Sequence, residues 1–289
     1  MAGAIGKEQE NPATGEEVKG EAVVDASSST GGKRPNAFTE LMSRKQPKSS
    51  SKTAKESRKS TSVGTKVFPG MYGLGAYIEH PEQFEKDRVI DYNDEFVIIN
   101  DLFPKSVIHC LILPRDKTKT LLHPFDAFED AQFLAACKTE AERVKKMVGS
   151  ELRRRYGQFS RQERARIEAM ESEDPPDEDK LPPGRDWAAD LLVGIHAGPS
   201  MANLHVHVLS PDRHSPCMKH RKHYNSFSTP FLVPLDAFPL AQDDPRRFPG
   251  EEGYLNSEFQ CWRCEQSFGK NVQKLKAHLA EEFEQWRGR

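Results

Sequence analysis

From Asn203 to Val208 the chain alternates without a break: Asn203, His205 and His207 are polar, and Leu204, Val206 and Val208 are apolar. That period belongs to a strand with one face on a core and the other looking into a site. Further strands are predicted over 89–92, 95–100 and 106–113, the last stopped by Pro114, and residues 187–195 return the chain to the sheet just ahead of the histidines. Residues 73–84 predict a short helix ended at Pro81, with Leu74, Tyr77 and Ile78 on one side. Phe125 to Arg155 reads as one long helix, its stripe made by Phe128, Phe133, Leu134, Cys137, Val144 and Met147, packed on the sheet. Over 153–186 the periodicity gives way to charge, then to an acidic Pro-Pro run and Pro-Pro-Gly. This predicts a flexible or partly helical insertion.

Composition changes the picture mainly at the ends. A chain of 289 residues with formal net charge −2 has room for one or two compact domains, and a mean hydropathy of −0.73 implies that part of it is not globular. Residues 1–65, rich in Ser, Gly, Lys and Glu, are expected to be a disordered tail, and the remainder divides into 66–240 and 241–289. The tail's second half is basic (Lys33, Arg34, Arg44, Lys45, Lys48, Lys52, Lys55, Arg58, Lys59), which suits a nuclear import signal, a phosphate-binding arm or mere solubility. Within it, residues 36–42 form an apolar island fit to dock as a short helix on a partner protein. No apolar run approaches a membrane span and no signal-peptide core is visible, so a soluble intracellular protein is expected. Of five cysteines, Cys110, Cys137 and Cys217 are scattered as small core residues. Only Cys261 and Cys264 are paired by spacing, and the pairing points to a metal.

Three stretches carry chemistry. His205 and His207, about 7 Å apart on one strand face, can ligate a metal or handle a phosphate, and the turn at 198–200 bends His196 and Ser200 back toward them. Metal is the lesser option there, for want of an acidic or Cys ligand at short spacing. Lys219, Arg221, Lys222 and His223, interleaved with Tyr224 and Phe227, suit a nucleic-acid backbone and strand end. Cys261-Trp-Arg-Cys264, then Phe268 and Leu275, then His278 and Glu282 follow the layout of a small zinc finger holding one structural ion. Glu282 lies one turn after His278 on the same face, whereas Glu281 is less well spaced.

The histidine strand resembles the active-site motif of the histidine triad superfamily, and its continuation from Ser215 to Phe227 resembles the aprataxin branch, which acts on adenylated DNA ends. The resemblance implies an α+β histidine triad fold with an antiparallel sheet and a carboxyl-terminal finger. It also implies removal of 5′-AMP from nicked or broken DNA with an adenylated 5′ end, by a monomer, in the nucleus, without a catalytic metal and with AMP as product. His205 would be the nucleophile. His207 and Ser200 would hold the non-bridging oxygens, and His196 would assist the leaving phosphate. Asp101 would accept from the ribose hydroxyls, Leu102 pack on adenine and Lys105 lie near the nucleotide. The helix bearing Tyr77 would wedge against the DNA terminus, and Lys219, Lys222, His223 and Tyr224 would hold DNA. His109 is expected to be structural support. Asn203 stands where the superfamily usually has its first histidine, and since an amide carries no proton charge it is given an orienting role only. Two other readings stay open: a mononucleotide phosphoramidase or dinucleotide polyphosphate hydrolase of the same superfamily, and a non-catalytic DNA-end adaptor, for which Asn203 is the one hint.

Overall fold

The computed structural model describes residues 73–289; the expected tail over 1–65, its basic run and the 36–42 island lie outside the described residues. β-Branched and aliphatic runs at Val89–Tyr92 (β1), Phe96–Asn100 (β2) and His109–Pro114 (β3) pair in sequence as antiparallel neighbours. Leu192–His196 (β4), Val206–Leu209 (β5) and Leu232–Pro234 (β6) complete a six-stranded antiparallel sheet in the order β1-β2-β3-β5-β4-β6. β2 and β3 are buried on both faces, so they lack the simple alternation of a half-solvated strand.

One face, with Phe96, Ile98, Cys110, Ile112, Val206 and Val208, packs on the long helix. The other presents Val97, Ile99, Leu111 and Leu113 to a short helix, Gly75–Glu79 (α1), whose Tyr77 and Ile78, with Leu74 just before it, are buried against them. α1 covers only part of that face. The uncovered part is where His109 and His207 stand.

The single long helix expected from Phe125 is two helices, Pro124–Ala127 (α2) and Ala131–Tyr156 (α3). Asp130 breaks the run: its carboxylate accepts from the Gln132 and Phe133 N–H groups and caps α3. The buried stripe of α3 is Leu134, Cys137, Ala141, Val144, Val148 and Leu152, while Phe133 and Met147 are only half-buried at its edge. The segment after α3 holds a helix at Arg164–Met170 (α4) and returns to the core at Trp187. Arg221–Ser228 (α5) and a short helix at Pro249–Glu252 (α6) lead to a hairpin, Phe259–Gln260 (β7) with Ser267–Gly269 (β8), and a final helix, Val272–Arg287 (α7).

Candidate active site

Antiparallel register brings the histidines together. Leu111 pairs with His207 and His109 with Leu209, so His109 and His207 are diagonal neighbours on one face. His109 Nε2 and His207 Nδ1 are 2.9 Å apart. On the other side of β5, Gly194 pairs with His207, and two residues on His196 lays its ring 4.4 Å from that of His207. The His205 ring, one residue ahead of β5, stands edge-on to His207 with ring centroids 4.9 Å apart. Phe227 of α5 touches His109, His196 and His207 with ring centroids within 5.2 Å, forming the apolar back wall.

Hydrogen bonds assign the tautomers. The Lys105 N–H donates to His109 Nδ1 at 3.2 Å, so His109 Nε2 carries the proton and donates to His207 Nδ1. His207 therefore carries its own proton on Nε2, a buried atom with no partner among the described residues. His205 Nδ1 donates to the Asn203 carbonyl at 2.7 Å, which leaves the Nε2 lone pair free. Burial lowers the basicity of all four rings: His109 falls to about 4, His196 and His207 drop well below the ordinary histidine range, and His205 falls too. The site holds neutral imidazoles at neutral pH. Burial alone would raise the Asp101 carboxyl, but His109, Lys105, the Phe103 N–H and Arg88 together hold it below its usual value. Asp101 Oδ1 accepts from Phe103 N–H at 2.8 Å and Oδ2 lies 3.5 Å from His109 Nδ1.

These groups line one cavity with Leu102, Lys105, Ser200 and Lys222, with Tyr77 and Leu74 at one side. Arg88 and Phe103 also line it, and nothing in their spacing along the chain announced that. His109, expected as support, is the donor that fixes the His207 proton.

In the carboxyl-terminal module, the donor atoms of Cys261, Cys264, His278 and Glu282 lie within 4.8 Å of one another. Cys264 Sγ is 3.1 Å from His278 Nε2, and Glu282 Oε1 is 3.2 Å from the same nitrogen. Two thiolates, an imidazole and a carboxylate gathered this closely fit tetrahedral zinc. Arg263 Nη1 donates to Glu282 Oε2 at 2.6 Å, leaving Oε1 for the metal.

The histidine triad (HIT) domain family matches residues 83–214, and the C2HE / C2H2 / C2HC zinc-binding finger family matches residues 228–285. An aprataxin-like protein of Schizosaccharomyces pombe is 35% identical over 217 residues, covering 74% of this chain and 81% of its own. An aprataxin-like protein of Saccharomyces cerevisiae is 38% identical, covering 73% of this chain and 95% of its own.

The chain belongs to the aprataxin family.

Its fold agrees with that of a solved aprataxin ortholog in complex with DNA, at 31% identity and a TM-score of 0.58 over 75% of this chain and 96% of that one. A crystal structure of the aprataxin ortholog Hnt3 from Schizosaccharomyces pombe matches at 31% identity and a TM-score of 0.57 over 74% of this chain and 92% of its own.

Within this aprataxin-family architecture not every expected contact residue reaches the cavity. The Asn203 side chain does not line it; Asn203 orients His205, but through its backbone carbonyl rather than the amide. Tyr224, expected on DNA, is 1% exposed. Its hydroxyl donates to the Gln260 carbonyl at 2.9 Å and accepts from Trp262 N–H at 3.1 Å, so it is a joint between α5 and the finger, and both its hydrogen-bonding roles are filled. His223 is buried beside the 217–219 turn, with Nδ1 3.2 Å from Lys219 N. α5 is amphipathic, and its aromatic side turned inward while Lys222 faces the cavity and Lys219, just ahead of the helix, is exposed. Tyr77 is packed on Phe84 at 4.3 Å and accepts from Arg88 Nε at 3.0 Å, so it meets the cavity only by its edge.

Proposed function

We propose that this chain is a DNA 5′-adenylate hydrolase acting in the nucleus, where its substrate arises: it removes 5′-AMP from abortive ligation intermediates at nicks and breaks. The observation that carries the reading is the tautomer of His205, whose Nδ1–H is tied to the Asn203 carbonyl so that the Nε2 lone pair is directed outward as a nucleophile. Neutral imidazole is the nucleophilic form, and burial keeps it neutral. His205 Nε2 attacks the AMP phosphorus as the bond to the DNA 5′-phosphate breaks. The leaving oxygen takes a hydrogen bond or proton from His196, and the adenylyl-histidine is then opened by water to release AMP and restore His205. The His207 Nε2–H and the Ser200 turn receive charge on the non-bridging oxygens. Asp101 accepts from the ribose hydroxyls, Leu102 packs on the base and Lys105 offsets phosphate charge.

No step is assigned to a metal. The Asp101, His109 and His207 donor atoms are close enough together to suggest one, but the hydrogen bond joining His109 Nε2 to His207 Nδ1 already uses that lone pair. A single structural zinc held by Cys261, Cys264, His278 and Glu282 folds the finger, which with Lys219 and Lys222 holds the DNA as a monomer. Support for a DNA substrate also comes from the aprataxin ortholog solved with DNA.

Adenylated nicked DNA tests the reading. Release of AMP is expected, with a phosphorus adduct on His205 trapped by mass spectrometry; His205→Ala should release none while still binding DNA. Equal or better turnover of AMP-lysine than of adenylated DNA would favour a small-nucleotide hydrolase. DNA binding without AMP release by the unaltered protein would favour an adaptor.

A further inference from the structure

The 157–186 segment between α3 and β4 has no part in the chemistry above, yet it holds a buried carboxylate and a buried guanidinium, each with several hydrogen bonds. Glu163 is 1% exposed, and its Oε1 accepts from Arg153 Nε of α3 at 2.9 Å, from the Arg185 N–H at 3.1 Å and from Trp187 Nε1 at 2.9 Å. Gly184, at φ +68°, passes so close that an added Cβ would sit 2.5 Å from the same carboxylate. The ladder continues into the finger. The Arg185 guanidinium, 2% exposed, donates from Nη1 to the Trp286 carbonyl at 2.7 Å and from Nη2 to Asp190 Oδ2 at 2.6 Å. Asp190 in turn accepts from Trp286 Nε1 at 3.1 Å. The same guanidinium lies 3.8 Å over Trp187 and 4.9 Å from Trp286. Ser160, Arg161 and Gln162 donate to the carbonyls of Gly288 and Arg289 just past α7.

A buried cation at the carboxyl end of a helix satisfies carbonyls that the helix itself leaves unpaired and meets the negative end of its dipole. Glu163 fixes the backbone from which that cation extends. The finger's other end is held elsewhere, by Tyr224 and Asn225 of α5. The finger is thus fastened at both ends, through β7 at one and the carboxyl end of α7 at the other.

We infer that the 157–187 segment is a clamp that fixes the end of the finger helix to the catalytic domain, with Glu163 and Arg185 as positioning residues, so that DNA held by the finger meets His205 at a set distance and angle. This rests on the DNA-hydrolase reading. The clamp sits away from the reacting atoms and acts only on substrates that span both modules.

The test uses the zinc-loaded full chain and the variants Glu163→Ala, Gly184→Ala and Glu163→Gln. In the first two, amides of residues 280–287 are expected to exchange faster and KM for adenylated nicked DNA to rise about tenfold, the scale of one buried hydrogen-bonding group left unsatisfied. Turnover of AMP-lysine and zinc content should stay at the unaltered level. Glu163→Gln keeps the acceptor oxygen and should stay close to the unaltered chain. An unchanged KM despite faster exchange would overturn the inference, as would parallel losses on both substrates, which mark ordinary fold support. Should the unaltered chain release no AMP from DNA, the hydrolase reading fails instead. DNA affinity then judges the clamp, about tenfold weaker binding in Glu163→Ala supporting it and equal binding overturning it.

Discussion

His109 begins one strand and His207 lies on the next, and the bond between them decides which nitrogen of His207 faces the cavity. Replacing His109 by Ala removes that donor and lets His207 take either tautomer. Turnover is expected to fall about a hundredfold, as for loss of one charge-stabilising donor, with AMP affinity nearly unchanged; steady-state and equilibrium titrations separate the two. The same burial has a consequence for stability. His109 has a folded-state value near 4 against 6.5 in the open chain, and His196, His205 and His207 are shifted the same way. Below about pH 6.5 the unfolded chain therefore binds protons that the folded chain refuses, and stability declines as pH falls toward 4. The lowered Asp101 carboxyl continues this decline around and below pH 4, while Asp212, which burial raises, opposes it. Urea titrations at several pH values should show the midpoint dropping across that window, and a flat profile would contradict neutral buried imidazoles.

At the scale of elements, β4 and α5 carry the site's precision. Gly194 pairs with His207, and a Cβ there would lie 2.6 Å from the Val233 carbonyl of β6. Gly194→Ala must push β6 away or shift β4, and His196 is two residues along. A loss of about 2 kcal/mol in folding stability is expected, with a fall in kcat exceeding any rise in KM. α5 turns its aromatic side into the molecule, so Tyr224→Phe should leave the Gln260 carbonyl and Trp262 N–H unpaired and cost roughly 1–3 kcal/mol. Denaturation would register that cost, whereas a Tyr224 lying on DNA would instead lower DNA affinity in a folded protein. The sequence picked out the basic and aromatic residues from 219 to 227 by their interleaving but predicted no helix there and could not say which side met the finger, because both aromatic and basic side chains are plausible on a DNA surface.

Across the whole molecule, the finger is continuous with the catalytic domain. Met218 and Tyr224 share a core with Phe259, Leu275 and Leu279, while Phe283 and Trp286 belong to the main core with Trp187 and Leu152. Removing zinc with a chelator is therefore expected to melt the hairpin and the first turns of α7 and to weaken DNA binding. The last turns of α7 stay docked and AMP-lysine turnover is retained. Hydrogen exchange by segment, read with DNA titrations, checks this; full DNA affinity in the metal-free chain would oppose it. Much of this architecture was legible from local pattern alone. The alternation from Asn203 to Val208 marked the histidine strand, the spacing of Cys261, Cys264, His278 and Glu282 marked four residues whose donor atoms the fold gathers, and hydrophobic runs marked five of the sheet's six strands, β6 being too short to show a period, because each depends on residues close along the chain and on the fixed geometry of one element. What tertiary structure alone decided is which atom faces which. The pairing of His109 with His207, the wall formed by Phe227, the inward turn of Tyr224 and the anchoring of Glu163 on Arg153, Arg185 and Trp187 all join segments remote in sequence. Register, helix rotation and burial fix such contacts, and these emerge only when strands and helices compete for one interior.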